Sequence, residues 1–172
     1  MDAQTRRETI AQRLRQSPTP VSASALAREC SVSRQVVVGD VALLRAGGLD
    51  ILATARGYIL ARPEPGVIRT VACAHPQENM ARELELMVDH GCRVLDVVVE
   101  HPVYGQLTGQ LGLSSRYDVG EFVRKVEENQ ALPLSALTMG VHLHTLRCPS
   151  EEAARRVLEA LAQEGFLFGA SE

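Results

Sequence analysis

His142 and His144 stand two residues apart in the segment GVHLHTLRCPS, residues 140–150. Successive side chains of a β-strand point to opposite faces, so in a strand both imidazoles would leave the same face. Two charged imidazoles facing each other are unfavourable, whereas two neutral ones aimed at one point form half of a metal site. The spacing therefore indicates metal binding as the first candidate chemistry, and the surrounding elements decide what the pair faces.

The charge of the chain is unevenly distributed. Its 172 residues carry a net charge of -3, yet residues 1–62 hold nine Arg against five acidic residues, a balance of +4. Residues 63–172 hold nine Arg plus Lys against sixteen acidic residues, a balance of -7. This asymmetry is compatible with DNA binding by the first part alone, because phosphate contacts need local rather than global positive charge. Ordinary variation of surface charge would also explain it.

The composition favours a cytoplasmic globular protein without a membrane partner. Apolar residues make up 45% of the chain, enough for a buried core. No run reaches the ~18 apolar residues that span a bilayer, and the start of the sequence is charged and periodic, without a signal-peptide core. The cysteines are scattered without a Cys-x-x-Cys pair and indicate reduced thiols.

The first sixty residues predict three helices and a β-hairpin. Ile10 and Leu14 lie four apart in the first helix, and Leu26 and Ala27 face inward in the second. Ser33 is a suitable N-cap for a third helix that runs to about residue 45. The inward face of this helix carries apolar residues at i, i+4 and i+7, namely Val37, Val41 and Leu44. The segment ILATARGYILA predicts two short strands joined by a turn at Arg56 and Gly57.

The segment ALARECSVSRQVVVGDVALLRAGGLDILATARGYIL resembles the winged helix-turn-helix family over its whole length. The resemblance implies that the helix starting at Ser33 enters the major groove of DNA and that the wing near Arg56 touches the backbone or minor groove. Arg34 and Gln35 are best placed to read base edges, since Arg pairs with guanine and Gln with adenine. The candidate DNA-binding residues are Ser33, Arg34, Gln35, Val38 and Arg56. Gly39 departs from the long polar residue expected at its position.

The segment ARPEPGV, with two prolines and a glycine, predicts a linker, after which strands and helices alternate. Strands are predicted at VIRTVACA, RVLDVVVEHPVYG, VHLHTLR and FLFG. Helices are predicted at QENMARELELMVDHG, at YDVGEFVRKVEENQ with a capping box from Asp118 to Glu121, and at SEEAARRVLEALAQEG with Ser150 as its cap. The fold class is therefore α+β: a winged helix-turn-helix over residues 1–62 and a two-layer α/β domain over residues 67–172.

Nearly the entire chain resembles niacin-responsive transcriptional repressors, in which a three-histidine (3H) domain follows a winged helix. The matching segments are AHPQENMARELELMVDHG, VVVEHPVYGQLTG, LSSRYDVGEFV and GVHLHTL. The resemblance implies a metal site with His75, Glu83, His142 and His144 as ligands. It also implies a non-enzymatic repressor that binds a palindromic operator as a homodimer, takes nicotinic acid as corepressor, and controls genes of niacin uptake or NAD synthesis.

The expected position of each residue agrees with that ligand set. His75 stands at a predicted strand end, and Glu83 lies two helical turns into the next helix, so both can lean over the sheet edge that carries the histidine pair. Three imidazoles and one carboxylate suit nickel, zinc, iron or manganese. His101 and Tyr104 are candidates for the effector pocket, although a structural role for His101 is equally expected. His90 precedes Gly91 at a helix C-terminus, where it suits the helix dipole.

Alternatives to this interpretation stay open. The motif His-x-His also occurs in metal hydrolases and cupins, but no Asp-His pair follows His144, and Glu151 lies too far on for a cupin. Cys73 lies two residues before His75, so a thiolate could be a ligand or a nucleophile. A rival hypothesis is a metal-dependent enzyme acting on a small pyridine acid, with an attached DNA-binding module. A third is a structural metal in a domain that only dimerises.

Overall fold

The computed structural model describes residues 1–62 and 64–169, and the chain divides into two compact units, Met1–Pro63 and Glu64–Glu172. The first unit combines helices with a two-stranded hairpin, and the second packs helices against an antiparallel sheet. The predicted α+β class is therefore confirmed. The predicted linker, residues 61–67, includes the boundary between the units, and Pro63 within it lies outside the described residues.

The first unit is built in the order predicted for a winged helix. Its elements are α1 (Ala3–Gln16), α2 (Ala23–Cys30), α3 (Arg34–Ala46), β1 (Ile51–Thr54) and β2 (Gly57–Leu60). The predicted cap of α3 is confirmed, because the side chain of Ser33 accepts a hydrogen bond from the Val36 backbone N–H. The predicted inward residues form one apolar cluster: Ile10, Leu14, Leu26, Ala27, Val37 and Val41 are buried, and Leu44 packs against them. The helical periodicity of the sequence therefore located this core.

The turn of the hairpin differs by one residue from the prediction. Ala55 and Arg56 form the turn, whereas Gly57 is the first residue of β2. Gly57 has φ 134°, and a Cβ there would lie 2.4 Å from the carbonyl oxygen of Val21. The glycine is required because strand β2 passes so close to this backbone that no side chain fits.

The second unit is a two-layer α/β domain. In chain order its elements are β3 (Val67–Ala74), α4 (Met80–Asp89), β4 (Arg93–His101), β5 (Gly105–Leu113), α5 (Arg116–Glu128), β6 (Val141–Cys148) and α6 (Glu151–Gln163). The strands run antiparallel in the order β3-β6-β4-β5. Along β6 every second side chain is buried, and α6 packs on β3 and β6 while α4 packs on β4. The helices therefore cover one face of the sheet.

Two predictions for this unit were wrong in detail, and one strand was not predicted. Strand β5 was not predicted, because GQLTGQLGL contains three glycines, which weaken the strand signal. Helix α5 is capped by Ser115, whose side chain accepts from the Asp118 backbone N–H, so Asp118 lies inside the helix instead of capping it. The segment FLFG forms only a single bridge, between Leu167 and Cys73, instead of a strand. The predicted cap Ser150 of α6 is confirmed.

Candidate functional site

Glu83 lies at the centre of a buried cluster of three histidines. His142 and His144 come from β6, His75 follows the last residue of β3, and Glu83 projects from the first turn of α4. The Nε2 atoms of His75, His142 and His144 lie 2.8, 3.0 and 3.4 Å from the nearest Glu83 carboxylate oxygens. All four side chains are only 1–4% exposed. The structure thus brings together the four residues that the resemblance implied as ligands.

Hydrogen bonds to backbone carbonyls orient all three imidazole rings. Each ring donates its Nδ1–H to a carbonyl oxygen: His75 to Pro76 at 2.9 Å, His142 to Gly140 at 2.8 Å, and His144 to Asp96 at 2.7 Å. A carbonyl oxygen can only accept, so these bonds place the proton of a neutral ring on Nδ1. The Nε2 atom of each neutral ring then carries a lone pair, which points toward Glu83. Such outer hydrogen bonds are the usual way in which proteins orient histidine ligands of a metal.

The centre of the cluster lacks a positive charge when the rings are neutral. Imidazole lone pairs and an ionised carboxylate are all hydrogen-bond acceptors, and acceptors packed together without a cation repel one another. His75 Nε2 is buried and lies 2.8 Å from Glu83, without a hydrogen bond of suitable geometry. Either protons or a metal ion can complete the cluster. Three imidazole nitrogens and one carboxylate fit a divalent transition metal.

Burial and charge oppose each other in this cluster. Burial would raise the pKa of Glu83, but the facing histidines, His144 foremost, hold it far below its usual range. Burial would lower the pKa of His75 and His144, but the Glu83 carboxylate raises both above their ordinary value of 6.5. The metal-free cluster therefore retains protons that an incoming ion must displace.

Gly140 is a positioning residue that the sequence analysis did not single out. It has φ 94°, and a Cβ on it would lie 2.6 Å from the carbonyl oxygen of His75. Its own carbonyl oxygen accepts the Nδ1–H of His142. Gly140 therefore connects the end of β3 with the start of β6, and any side chain there would push two of the histidines apart. The only sequence signal is its position directly before VHLH.

A cavity of about 200 Å³ borders the cluster. His75 forms one wall, together with Gln77, and the segment that leads into β6 forms the other, including Ser135, Ala136 and Gly140. The cavity therefore offers an amide and a hydroxyl beside one of the cluster histidines.

His101 and Tyr104 lie elsewhere, in the turn between β4 and β5. The Nδ1 atom of His101 accepts the backbone N–H groups of Val103 and Tyr104, at 3.1 and 3.2 Å, so His101 closes this turn. The side chain of Tyr104 is 74% exposed. The described lining of the cavity beside His75 includes neither residue. Their assignment to an effector site stays a prediction, and the structure gives His101 the structural role that the sequence analysis considered beside it.

His90 lies at the C-terminal end of α4. Its Nδ1–H donates to the carbonyl oxygen of Leu86 at 2.7 Å. The same carbonyl also accepts the backbone N–H of His90 at 3.3 Å, so the imidazole is a second donor to one of the last carbonyls of the helix. This is consistent with the helix-terminal role expected from the sequence.

The candidate DNA-binding residues lie on the outward face of α3, at its N-cap and in the hairpin turn. Ser33, Arg34, Gln35 and Val38 are all exposed, and Arg56 lies half-buried in the hairpin turn. Their contacts with DNA stay a prediction. Their exposure, at the N-terminal end of one helix and in the neighbouring wing, is the arrangement that winged helices use to reach a groove.

A buried ion pair fixes α3 against α1, and sequence reasoning missed it. Asp40 lies on the inward face of α3, where its carboxylate accepts from Arg6 at 2.5 Å and lies 3.8 Å from Arg7. The Asp40 side chain is almost fully buried, so this ion pair fixes the orientation of α3, and of its exposed face, relative to α1. An acidic residue within the otherwise apolar run of residues 36–44 was the available signal.

Together, the helix-turn-helix with its wing and the histidine-rich α/β domain define a two-domain transcription regulator with a candidate metal centre. An HTH domain family matches residues 6–59, and the 3H domain family matches residues 68–170. The chain is 46% identical over 164 residues to the probable transcription repressor NiaR of Thermotoga maritima, which covers 95% of this chain and 94% of that protein. It is 40% identical over 166 residues to the transcription repressor NadR of Bacillus subtilis, covering 94% and 92%.

The chain therefore belongs to the niacin-responsive transcription repressor family, with a helix-turn-helix followed by a 3H domain. The named relatives are transcription repressors and not enzymes. Among the described residues, none of the helices is both long enough and apolar enough to span a bilayer.

Proposed function

We propose that the protein represses transcription by binding a palindromic operator as a homodimer, with nicotinic acid as corepressor and a metal ion in the 3H domain. The genes controlled would be those of niacin uptake or NAD synthesis. Membership in the niacin-responsive repressor family supports the general role. The metal, the effector and the dimer are proposals that rest on the arrangement of particular side chains.

The observation that carries the proposal is the convergence of three Nε2 atoms on the buried Glu83 carboxylate. The ion would be held by His75, Glu83, His142 and His144. The three imidazole rings are already oriented by their hydrogen bonds at Nδ1. Nickel, zinc, iron or manganese all suit this donor set. When bound, the ion would supply an electrophile with open coordination positions for the carboxylate or ring nitrogen of nicotinic acid.

We place the nicotinic acid in the cavity beside His75. The cavity borders the cluster, and the side chains of Gln77 and Ser135 can hydrogen-bond a carboxylate or a ring nitrogen there. A ligand held between the end of β3 and the segment before β6 would fix these two parts of the 3H domain relative to each other. This position differs from the turn of His101 and Tyr104, so the two can be tested separately.

The effector would act on DNA binding through linkage. If nicotinic acid binds more tightly to the dimer geometry that matches the operator, it raises operator affinity by the same factor. In that geometry the two α3 helices would lie one DNA turn apart, ~34 Å, which is how symmetric proteins read two successive half-sites. The exposed Arg34 and Gln35 would then contact base edges in each half-site.

The metal is tested by replacing one ligand and one histidine outside the cluster. Purified His144→Ala is expected to lose most of its transition metal in elemental analysis and to lose the effect of nicotinic acid on operator binding. His101→Ala is expected to retain the metal, because His101 bonds only within its own turn. Equal metal content in the wild type and both variants would contradict the proposed centre.

The effector position is tested by filling the cavity. Ala136 is exposed on its lining, so Ala136→Phe is expected to fold, to bind metal and to weaken nicotinic acid binding by at least about tenfold. Tyr104→Ala is expected to leave nicotinic acid binding unchanged in the same calorimetric titration. The opposite pattern would move the effector site to the β4–β5 turn.

A further inference from the structure

We propose that Cys73 is an additional ligand of the metal centre, binding the ion as a thiolate beside the three imidazoles and Glu83. This inference rests on the metal centre proposed above and adds a sulfur donor to it. The consequence is a preference for ions that accept sulfur, such as zinc, cobalt or nickel, over manganese, which favours oxygen donors.

The register of the sheet brings Cys73 to the cluster. Cys73 in β3 pairs directly with His142 in β6, and side chains of directly opposed residues lie on the same face of a sheet. The Sγ of Cys73, a ring nitrogen of His142 and a carboxylate oxygen of Glu83 all lie within 4.8 Å of one another. All three residues are buried. An ion close to Glu83 and His142 would therefore be within reach of the sulfur after small shifts of the side chains.

A second observation supports a cation at this position. The His75 side chain is only 4% exposed, and its Nε2 atom has no hydrogen-bond partner. That atom lies 2.8 Å from the same carboxylate that Cys73 approaches. His75 follows Cys73 by two residues, so both reach the cluster from the end of β3. The unpartnered nitrogen and the thiol thus converge on Glu83 from one side, while β6 supplies the other two rings.

The alternative role for Cys73 is that of a small apolar residue in the core. Buried cysteines often have only that role. The two roles differ in chemistry. As a ligand, Cys73 loses its S–H proton to solvent while a sulfur lone pair forms the bond to the metal, with no change of oxidation state. As a core residue, it keeps its proton and makes no bond to the ion.

Cobalt(II) distinguishes these roles, because a thiolate bound to cobalt absorbs in the near ultraviolet by charge transfer and imidazole or carboxylate ligands do not. The full chain is freed of metal with a chelator and titrated with cobalt(II). We expect one cobalt per chain and a charge-transfer band that rises in step with binding. The wild-type result suffices by itself, because binding of one cobalt without that band would overturn the assignment of Cys73.

Two matched variants sharpen the test. Cys73→Ser keeps the size of the side chain but removes the sulfur, so it is expected to bind one cobalt without the band and to lose roughly 10- to 100-fold in zinc affinity. Its manganese affinity should change much less. Cys30→Ser alters a buried cysteine of the winged-helix unit and should retain the band. A band that persists in Cys73→Ser would also overturn the inference.

The same titration separates this inference from the metal centre itself. If the wild type binds no cobalt, zinc or nickel, the proposed centre is wrong and the role of Cys73 falls with it. If the wild type binds one ion without sulfur character, the four-ligand centre stands and only Cys73 is excluded.

Discussion

The two units of the protein place their candidate chemistry in opposite environments. In the winged-helix unit, Arg34 and Gln35 are exposed on one helix, and their neighbours in sequence are also their neighbours in space. In the 3H unit, Glu83 and the three histidines are almost fully buried, and the outermost two, His75 and His144, lie 69 residues apart in the sequence. DNA contacts depend on what the surface presents, whereas the cluster depends on how β3, α4 and β6 pack.

This difference predicts how each site tolerates change. A substitution on the exposed face of α3 removes one contact and leaves the fold intact, because surface side chains contribute little to stability. A substitution in the buried cluster leaves charges or lone pairs without partners, which costs more. The cluster should therefore respond to small changes, even of one methyl group, and the helix only to changes at particular positions.

The strongest test of the buried site is Glu83→Gln. It keeps the volume of the side chain but removes the charge that faces all three imidazoles, so metal affinity is expected to fall by at least about 100-fold. Glu85→Gln is the control, because Glu85 lies two residues on and contacts Arg116 at 3.8 Å on the outside of α4. Isothermal titration calorimetry with zinc measures the metal affinity of both variants. Similar affinities would show that Glu83 is not a ligand of the ion.

Gly140→Ala tests whether the packing around the cluster matters as much as its ligands. The new methyl group would meet the His75 carbonyl oxygen at 2.6 Å, so metal affinity is expected to fall about 10- to 100-fold, with a loss of about 1 to 3 kcal/mol in the free energy of unfolding. Gly105→Ala has a comparable backbone strain, φ 71°, but open space around it. It should lose stability without losing metal. Unchanged metal binding in Gly140→Ala would show that the cluster tolerates displacement of His75.

Arg34→Ala tests the exposed site. Loss of a paired contact to one base is expected to lower operator affinity by about 1 to 3 kcal/mol and to relax the preference at one base pair of each half-site. Arg56→Ala should instead weaken binding to all sequences alike and flatten its salt dependence, because a phosphate contact carries no base information. Binding to operator and random DNA at several salt concentrations separates the two. An Arg34→Ala protein with the wild-type preference would contradict the docking of α3.

The pH dependence of stability should change sign with metal. Burial lowers the pKa of His75 and His144 but Glu83 raises both above 6.5, so their contribution to the metal-free fold is complete below that pH and is lost as pH rises through the folded-state pKa. Metal binding needs deprotonated rings, so metal affinity should rise with pH by about tenfold per unit for each proton displaced. Thermal unfolding from about pH 6 to about pH 9, with chelator and with zinc, measures both trends. If thermal stability changes with pH in the same way with chelator and with zinc, this prediction is contradicted.

The same contrast explains what could be predicted from the sequence. The helices of the winged unit and its core residues follow from local periodicity and caps, as at Ser33 and Val37. The grouping of His75, Glu83, His142 and His144 was implied by the family resemblance, whereas the pairing of two histidines on one strand face follows from their spacing alone. The sequence did not predict the roles of Gly140, the Asp96 carbonyl and the buried Asp40. These roles depend on contacts between distant segments that no local pattern encodes. Strand β5 was missed because its glycines mask the alternation.

The central claim is that an ion in the buried cluster is needed for nicotinic acid to act on DNA binding. Its most direct test is to measure operator affinity with and without nicotinic acid, once in metal-loaded protein and once after chelation. We predict that nicotinic acid tightens operator binding by at least about tenfold in the metal-loaded protein and has no effect in the metal-free protein, while non-specific DNA binding is the same in both. An equal response to nicotinic acid with and without metal would contradict the account.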